Sequence, residues 1–222
     1  MKAYIDVAKQ FRDQWRHPTR VPTVVKARAA SPHPHGSSFT HPAHEQIWKI
    51  FCDNPHNDEF ARYRLSVERA RGLPSGNSKR RWHGTIRACT VGDADAQGFA
   101  CNSGACSLCG IIRTSFRVAK AGQNTNFGRF GAGIYTSATL SKANSYVVER
   151  GGSPYKAVLL SDVVLGKVAK LRTDKPRLTE APAGYDSVIG EPGRVLNYDE
   201  AIVYKNEAIR PLFLVIYKHR QS

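Results

Sequence analysis

The stretch of this sequence best equipped for chemistry is Phe130-Gly131-Ala132-Gly133-Ile134-Tyr135-Thr136-Ser137, followed by Ser141-Lys142-Ala143-Asn144-Ser145-Tyr146. Its glycines allow a tight turn and a close approach of the backbone to a ligand. Ile134-Tyr135 then starts a strand, and Tyr146 comes eleven residues after Tyr135. Two tyrosines so placed can hold a flat ring between their faces. A flat cationic ring such as nicotinamide is the leaving group of one NAD chemistry. The rival reading is a dinucleotide-binding Gly-x-Gly-x-x-Gly turn. It fails because the third position is Thr136, no apolar strand precedes, and a strand follows where that turn needs a helix.

Two further segments carry candidate side chains. Arg81-Trp82-His83-Gly84-Thr85 sets a histidine beside a glycine. Asn197-Tyr198-Asp199-Glu200-Ala201-Ile202-Val203-Tyr204 sets a carboxylate at the start of an apolar strand. Each alone reads as a turn or a solvated strand end.

Together and in this order, the three segments resemble the catalytic domain of the poly(ADP-ribose) polymerase family. That family reads His-Gly-Ser/Thr, then Gly-x-Gly-Ile-Tyr with Ser-Lys-(Ser)-x-x-Tyr, then Glu-Tyr-Ile-Val-Tyr. The resemblance extends over roughly residues 45–218. It includes Ile111–Phe116, Lys156–Val168, a tankyrase-like loop at Ala181–Gly190, and Pro211–Tyr217. It implies an α+β ADP-ribosyltransferase fold, with split antiparallel sheets around an NAD crevice. NAD is then a substrate: nicotinamide leaves and ADP-ribose goes to a macromolecular acceptor.

Carried over by position, the resemblance gives His83 a hydrogen bond to the adenine-side ribose and gives the Gly84 backbone the nicotinamide carboxamide. Tyr135 completes a His-Tyr-Glu set, Tyr146 stacks on the nicotinamide, and Glu200 binds the 2′-hydroxyl of the nicotinamide ribose. The physics agrees. Nicotinamide is already cationic, so its departure needs no general acid. A buried carboxylate near the developing positive charge, and stacking that holds the ring, are what help. Ala143 departs from the pattern, because the family has there a serine whose hydroxyl donates to the carboxamide. Ser137, Ser141 or Ser145 could substitute for it. Ala201 stands where the family often has an aromatic, a packing variation. The alternatives are an NAD glycohydrolase with water as acceptor, and a catalytically silent module that binds NAD, ADP-ribose or nucleic acid.

Between His83-Gly84-Thr85 and Ile111 the chain carries Cys89-x11-Cys101-x4-Cys106-x2-Cys109. Cys-x2-Cys is a recurrent zinc half-site, and four thiolates complete a closed structural site. The surrounding Gly, Asp, Asn and Ser residues cannot pack a core, so zinc is expected to staple this insertion. Tankyrases hold zinc elsewhere in the domain. This cysteine spacing is similar to that of fungal members of the family. The fifth cysteine, Cys52, is expected to be a core thiol.

These groups need a frame. The 222 residues suit one catalytic domain, 45–222, with a cysteine-rich insertion at 85–110, preceded by residues 1–44 as a helix and a Pro/His-rich arm. Tyr4, Ile5, Val7, Ala8, Phe11 and Trp15 stand near helical spacing over residues 1–17. The pattern predicts a helix from Glu45 to Asn54-Pro55 and another over Asn57–Arg71, with Arg62, Arg64, Arg69 and Arg71 solvated. It predicts short strands and turns after Trp82, a helix over Ser141–Val148, and strands over Ala157–Gly166, Glu200–Tyr204 and Leu212–Tyr217.

There is no apolar run long enough for a membrane span and no signal-peptide pattern, so an intracellular protein of nucleus or cytoplasm is expected. Thirty-three Lys and Arg against 18 Asp and Glu give a net charge of +15. Such a field attracts polyanions. A protein acceptor is expected, and the charge keeps a nucleic-acid acceptor open, although no base-reading motif accompanies it.

Overall fold

The computed structural model describes residues 2–16, 46–94, 97–121, 128–193 and 196–218, and the backbone of 23–24 and 27–30. The elements run α1 (Lys2–Asp13), β1 (Thr23–Val24), β2 (Ala27–Ala30), β3 (Gln46–Ile50), α2 (Asn54–Arg71), β4 (Ser78–His83), β5 (Ile86–Arg87), α3 (Ser107–Thr114), β6 (Ile134–Thr136), α4 (Leu140–Asn144), β7 (Val148–Glu149), β8 (Lys156–Val164), β9 (Val168–Leu171), β10 (Ser187–Gly190), β11 (Glu200–Val203) and β12 (Ile209–Lys218). A larger sheet has the order β2-β3-β12-β8-β4, with β1 added on β12, and a second has the order β6-β11-β10-β9. Helices segregated around mainly antiparallel sheets make this an α+β fold. Three pairs are parallel: β2 with β3, β9 with β10, and β5 with β7.

The long strands follow from composition. β8, Lys-Ala-Val-Leu-Leu-Ser-Asp-Val-Val, is buried almost throughout because it lies between β4 and β12 with packing on both faces. Its alternate residues divide the interior. Leu159 and Val163 join Trp48, Leu214, Ile216 and the α3 residues Leu108, Cys109 and Ile112 in one core. Val158 and Leu160 face the other way, onto Val7, Ala8 and Phe11 of α1. Pro211 stands in β12 at a register shift before Phe213, an irregularity of the kind where strand prolines occur.

Several sequence expectations need correction. Residues 46–50 form a strand, not a helix: Asn54-Pro55 does not end a helix but opens one. Asp53 caps α2 by accepting from the His56 N–H at 3.1 Å, and Pro55 sits in the first turn, where a missing N–H is tolerated. α2 stops where expected, at Gly72 in the left-handed region (φ 63°). Arg71 is not merely solvated, because its guanidinium makes a two-point contact with Asp186 at 2.9 and 3.1 Å. The segment containing Ile111-Ile112 is the helix α3, and the helix expected over Ser141–Val148 is only Leu140–Asn144.

The N-terminal helix is not an appendage. Phe11 lies edge-on to Trp82 with ring centroids 5.8 Å apart, Trp82 Nε1 donates to Gln14 Oε1 at 2.6 Å, and Leu140 N donates to Gln14 O at 2.9 Å. The Pro/His-rich stretch contributes two short strands to the sheet, and the rest of it lies outside the described residues. Among the described residues, no helix is long and apolar enough to cross a membrane.

Candidate active site

Among the described residues, an isolated antiparallel bridge between Trp82 and Ser137 joins the two sheets. Trp82 N donates to Ser137 O at 2.8 Å, and Ser137 N donates to Trp82 O at 3.0 Å. Because strand residues alternate, Trp82 buries its ring under α1 while its neighbour His83, the last residue of β4, turns to the opposite face. There His83 Nδ1 lies 2.8 Å from the carbonyl oxygen of Tyr135. A carbonyl only accepts, so Nδ1 carries the proton. Burial holds the imidazole below its ordinary pKa, against the opposing pull of that carbonyl. The neutral ring therefore presents Nε2 as an acceptor, suited to a sugar hydroxyl.

The backbone after His83 is pressed against α4. A Cβ added at Gly84 would lie 1.9 Å from the Ala143 carbonyl oxygen, so only glycine fits there. Gly131 is equally constrained, with φ 78° and the Leu178 carbonyl 1.9 Å from any Cβ. Tyr135 closes that turn: its hydroxyl accepts from Phe130 N and donates to Gly131 O, both at 2.9 Å. The Tyr135 phenol is thus committed to backbone groups, and its ring packs closely on the Gly128 backbone. Burial pushes its ionisation far up.

Glu200 opens β11, next to Ala201, which pairs with Thr136 of β6. It is 4% exposed. Its Oε1 accepts from Lys142 Nζ at 2.9 Å and from the Tyr146 hydroxyl at 3.3 Å. Its Oε2 is buried with no hydrogen-bond partner. A buried carboxylate oxygen without a partner is costly, and it marks a place where a donor hydroxyl would be welcome. Tyr146 remains 44% exposed, its ring open to a flat partner, with the Lys142 ammonium 5.3 Å from its centroid. Burial lowers the Lys142 pKa, but Glu200 and Tyr146 together outweigh this and hold it above the ordinary lysine value. The structure thus brings Tyr146 to Glu200, His83 to Tyr135 and Gly84 to Ala143.

Of the hydroxyls that could replace the one missing at Ala143, those of Ser137 and Ser145 donate elsewhere, whereas that of Ser141 accepts a backbone N–H and keeps its own proton to donate. Ser137 Oγ donates to Asp199 at 3.0 Å, Ser141 Oγ accepts from Arg16 N at 2.8 Å, and Ser145 Oγ donates to Ser141 O at 3.3 Å. Sequence reasoning also missed three positioning side chains. Lys142 was readable within the Ser-Lys motif. Asp199 anchors the start of α4 by accepting from the Ser137 hydroxyl and from Ala138 N at 3.1 Å. Arg87, fully buried, donates to Glu149, Val91 O, Asp93, Ser153 and Tyr155 O over 2.6–2.9 Å. Nothing in its local sequence marks it as a hub.

The four insertion cysteines converge. Their sulfurs all lie within 4.8 Å of one another, with Cys89 Sγ 3.5 Å from Cys109 Sγ and 3.7 Å from Cys106 Sγ. Zn–S bonds of about 2.3 Å imply a tetrahedron with edges of about 3.8 Å, so the spacing fits a tetrathiolate. Ala88 N donates to Cys106 Sγ at 3.3 Å. In this coupled set the hydrogen bond from Cys109, with this amide, draws Cys106 below the ordinary thiol range, while the same bond pushes Cys109 up and burial pushes Cys89 up. The cluster adjoins the cleft. β5 begins just after Gly84 and Thr85, and it pairs with β7, which begins just after Tyr146 and Val147. Cys52 keeps its thiol, half-buried and pushed up to about 11 by burial.

The poly(ADP-ribose) polymerase catalytic-domain profile matches residues 34–194, most of this chain. The chain belongs to that family. Its fold is accordingly the family's ADP-ribosyltransferase fold. The profile match ends short of Glu200 and starts after α1. Similar proteins include human protein mono-ADP-ribosyltransferase PARP4, 35% identical over 98 residues, 42% of this chain and 6% of that protein. Human protein mono-ADP-ribosyltransferase PARP3 is 28% identical over 156 residues, 69% of this chain and 23% of that protein. Poly [ADP-ribose] polymerase 1 of Xenopus laevis is 32% identical over 84 residues, 38% of this chain and 8% of that protein. The chain therefore spans less than a quarter of the length of each of these relatives.

Proposed function

We propose that this poly(ADP-ribose) polymerase family member is an NAD-dependent ADP-ribosyltransferase of the His-Tyr-Glu type, with His83, Tyr135 and Glu200 in those roles. The observation that carries the reading is Glu200: a buried carboxylate with one oxygen held by Lys142 and Tyr146 and the other unpartnered, beside an exposed tyrosine ring. The free oxygen would accept from the 2′-hydroxyl of the nicotinamide ribose, and His83 Nε2 would accept from the adenine-side ribose. The nicotinamide ring would lie against Tyr146 and the Tyr135 ring, with its carboxamide on the Gly84 backbone. The C1′–N bond breaks with its electron pair leaving on the nicotinamide nitrogen, while an acceptor oxygen or nitrogen bonds to C1′ and releases its proton. The preorganised carboxylate stabilises the positive charge that builds on the sugar.

The acceptor is read as protein, with nucleic acid as the second candidate because of the +15 charge. A reducing setting, nucleus or cytoplasm, suits five cysteines none of which is joined in a disulfide. Zinc is proposed for Cys89, Cys101, Cys106 and Cys109 on the fit of sulfur spacing to a tetrathiolate, and its part is structural. The spacing of these cysteines and the Ala181–Gly190 loop are the grounds for reading the chain as a fungal-type, tankyrase-like member.

One incubation with labelled NAD tests the reading. Released nicotinamide together with label on a macromolecule is the expected result. Label found only in free ADP-ribose would replace the transferase with a glycohydrolase, and no release despite NAD binding would replace it with a silent module. Metal analysis of the same protein should give about one zinc per chain.

A further inference from the structure

A second concavity lies on the α1 face of the larger sheet, away from the His83 face. It measures about 600 Å³, and Tyr4 of α1, Lys49, Phe51, Arg80, Asp162 and Arg210 contribute to its lining. Such a volume suits a ligand of small-molecule size. Its charge is one-sided, since those three cations are the lining's basic groups and Asp162 its only carboxylate. Strand register sets Arg80 and Arg210 on either side of Asp162 in one row across β4, β8 and β12. Asp162 is taken up by Arg210, whose Nη2 is 3.6 Å from it and whose guanidinium also donates to Asn57 Oδ1 at 3.0 Å and lies over the Phe60 ring, so Arg80 and Lys49 are left as the available cations. Arg80 and Lys49 are exposed. Phe51 keeps 42% of its surface exposed, with the Lys49 ammonium 4.9 Å from its ring.

Cations that can follow a phosphodiester backbone, beside a half-exposed aromatic ring, are what sequence-tolerant binding of single strands uses. We propose that this concavity is a binding site for single-stranded nucleic acid, separate from the NAD cleft, with Lys49 and Arg80 on phosphates and Phe51 under a base. The site lies in a strongly basic molecule, so the long-range field adds to encounter. The proposal does not depend on the transferase reading, because its test requires no NAD.

The probe is a fluorescein-labelled oligothymidylate, titrated by anisotropy with the full chain over a series of salt concentrations. The Lys49→Ala, Arg80→Ala double variant should weaken binding and flatten the salt dependence by about 1.4 in the slope of log K against log salt, two single-strand phosphate contacts. Phe51→Ala should weaken binding roughly tenfold, within the range for loss of one stacked base. A matched control removes Lys170 of β9 and Arg172 just after it, both exposed cations, by substitution to alanine. If that control loses as much as the Lys49, Arg80 pair, binding belongs to the general field and the site is refuted. Unchanged affinity and slope in the Lys49, Arg80 variant, or unchanged affinity in Phe51→Ala, would equally overturn it.

Discussion

At the level of single residues, the cleft divides its polar groups into those already spent and those left for a ligand. Tyr135, Ser137 and Ser145 spend their O–H donors on protein groups, Ser141 only accepts from a backbone N–H, and Glu200 Oε2 spends nothing. That asymmetry predicts which substitutions matter. Glu200→Gln keeps the shape and removes the charge. It should lower nicotinamide release by about 10²–10³ in kcat, the scale of losing one preorganised electrostatic partner. Near-parental turnover by this variant in a single-turnover assay would remove Glu200 from the chemistry. Ala143→Ser should act in the opposite direction, on binding. One added hydrogen bond contributes about 0.5–1.5 kcal/mol, so KM for NAD should fall about twofold to tenfold with kcat little changed. An unchanged or raised KM would show that the missing hydroxyl is not what limits NAD binding.

At the level of elements, the walls of the cleft are short and depend on neighbours. α4 has five residues, and β5 and β7 have two each, too little to hold a shape alone. Asp199 anchors the start of α4, while Arg87 and the cysteine cluster hold the far ends of β5 and β7. On the proposal that the cluster holds zinc, a chelator should therefore loosen Gly84 and Tyr146 together. The melting temperature should drop, and KM for NAD should rise more than kcat falls. Metal-stripped protein with the parent's melting temperature and KM would separate the cluster from the cleft.

For the whole molecule, His83 links the cleft to global stability. Its folded-state pKa lies below 6.5 because burial penalises the cation. Between that value and 6.5 the unfolded chain binds a proton that the folded chain does not. His83 therefore contributes stability above about pH 6.5 that is lost as pH falls through its folded pKa. Burial raises the carboxyl pKa values of Glu149 and Asp162, which act in the opposite sense at acid pH. Denaturant unfolding of the parent and of His83→Gln isolates the histidine: their stability difference should change in the variant's favour as pH falls. A difference independent of pH would mean that the imidazole is not held neutral.

The sequence by itself determined the types and order of the chemical groups: His83-Gly84, the glycine-tyrosine turn, Tyr146, Glu200 and the four cysteines. Their motif order pointed to the family, and the apolar runs at Ala157–Gly166 and Leu212–Tyr217 were legible as strands because buried strands need such runs. Residues 46–50 were misread because five apolar-rich residues carry no decisive period, and β12, not local propensity, makes them a strand. α1 showed its amphipathic face but not what that face covers. Only tertiary structure decided that it lies behind Trp82, that Arg87 is a hub, that Ser137 and Ser145 donate elsewhere, and that Glu200 keeps one oxygen free. Hydrogen-bond satisfaction is a property of the folded neighbourhood, between groups far apart in the chain, so no local pattern of residues could have shown it.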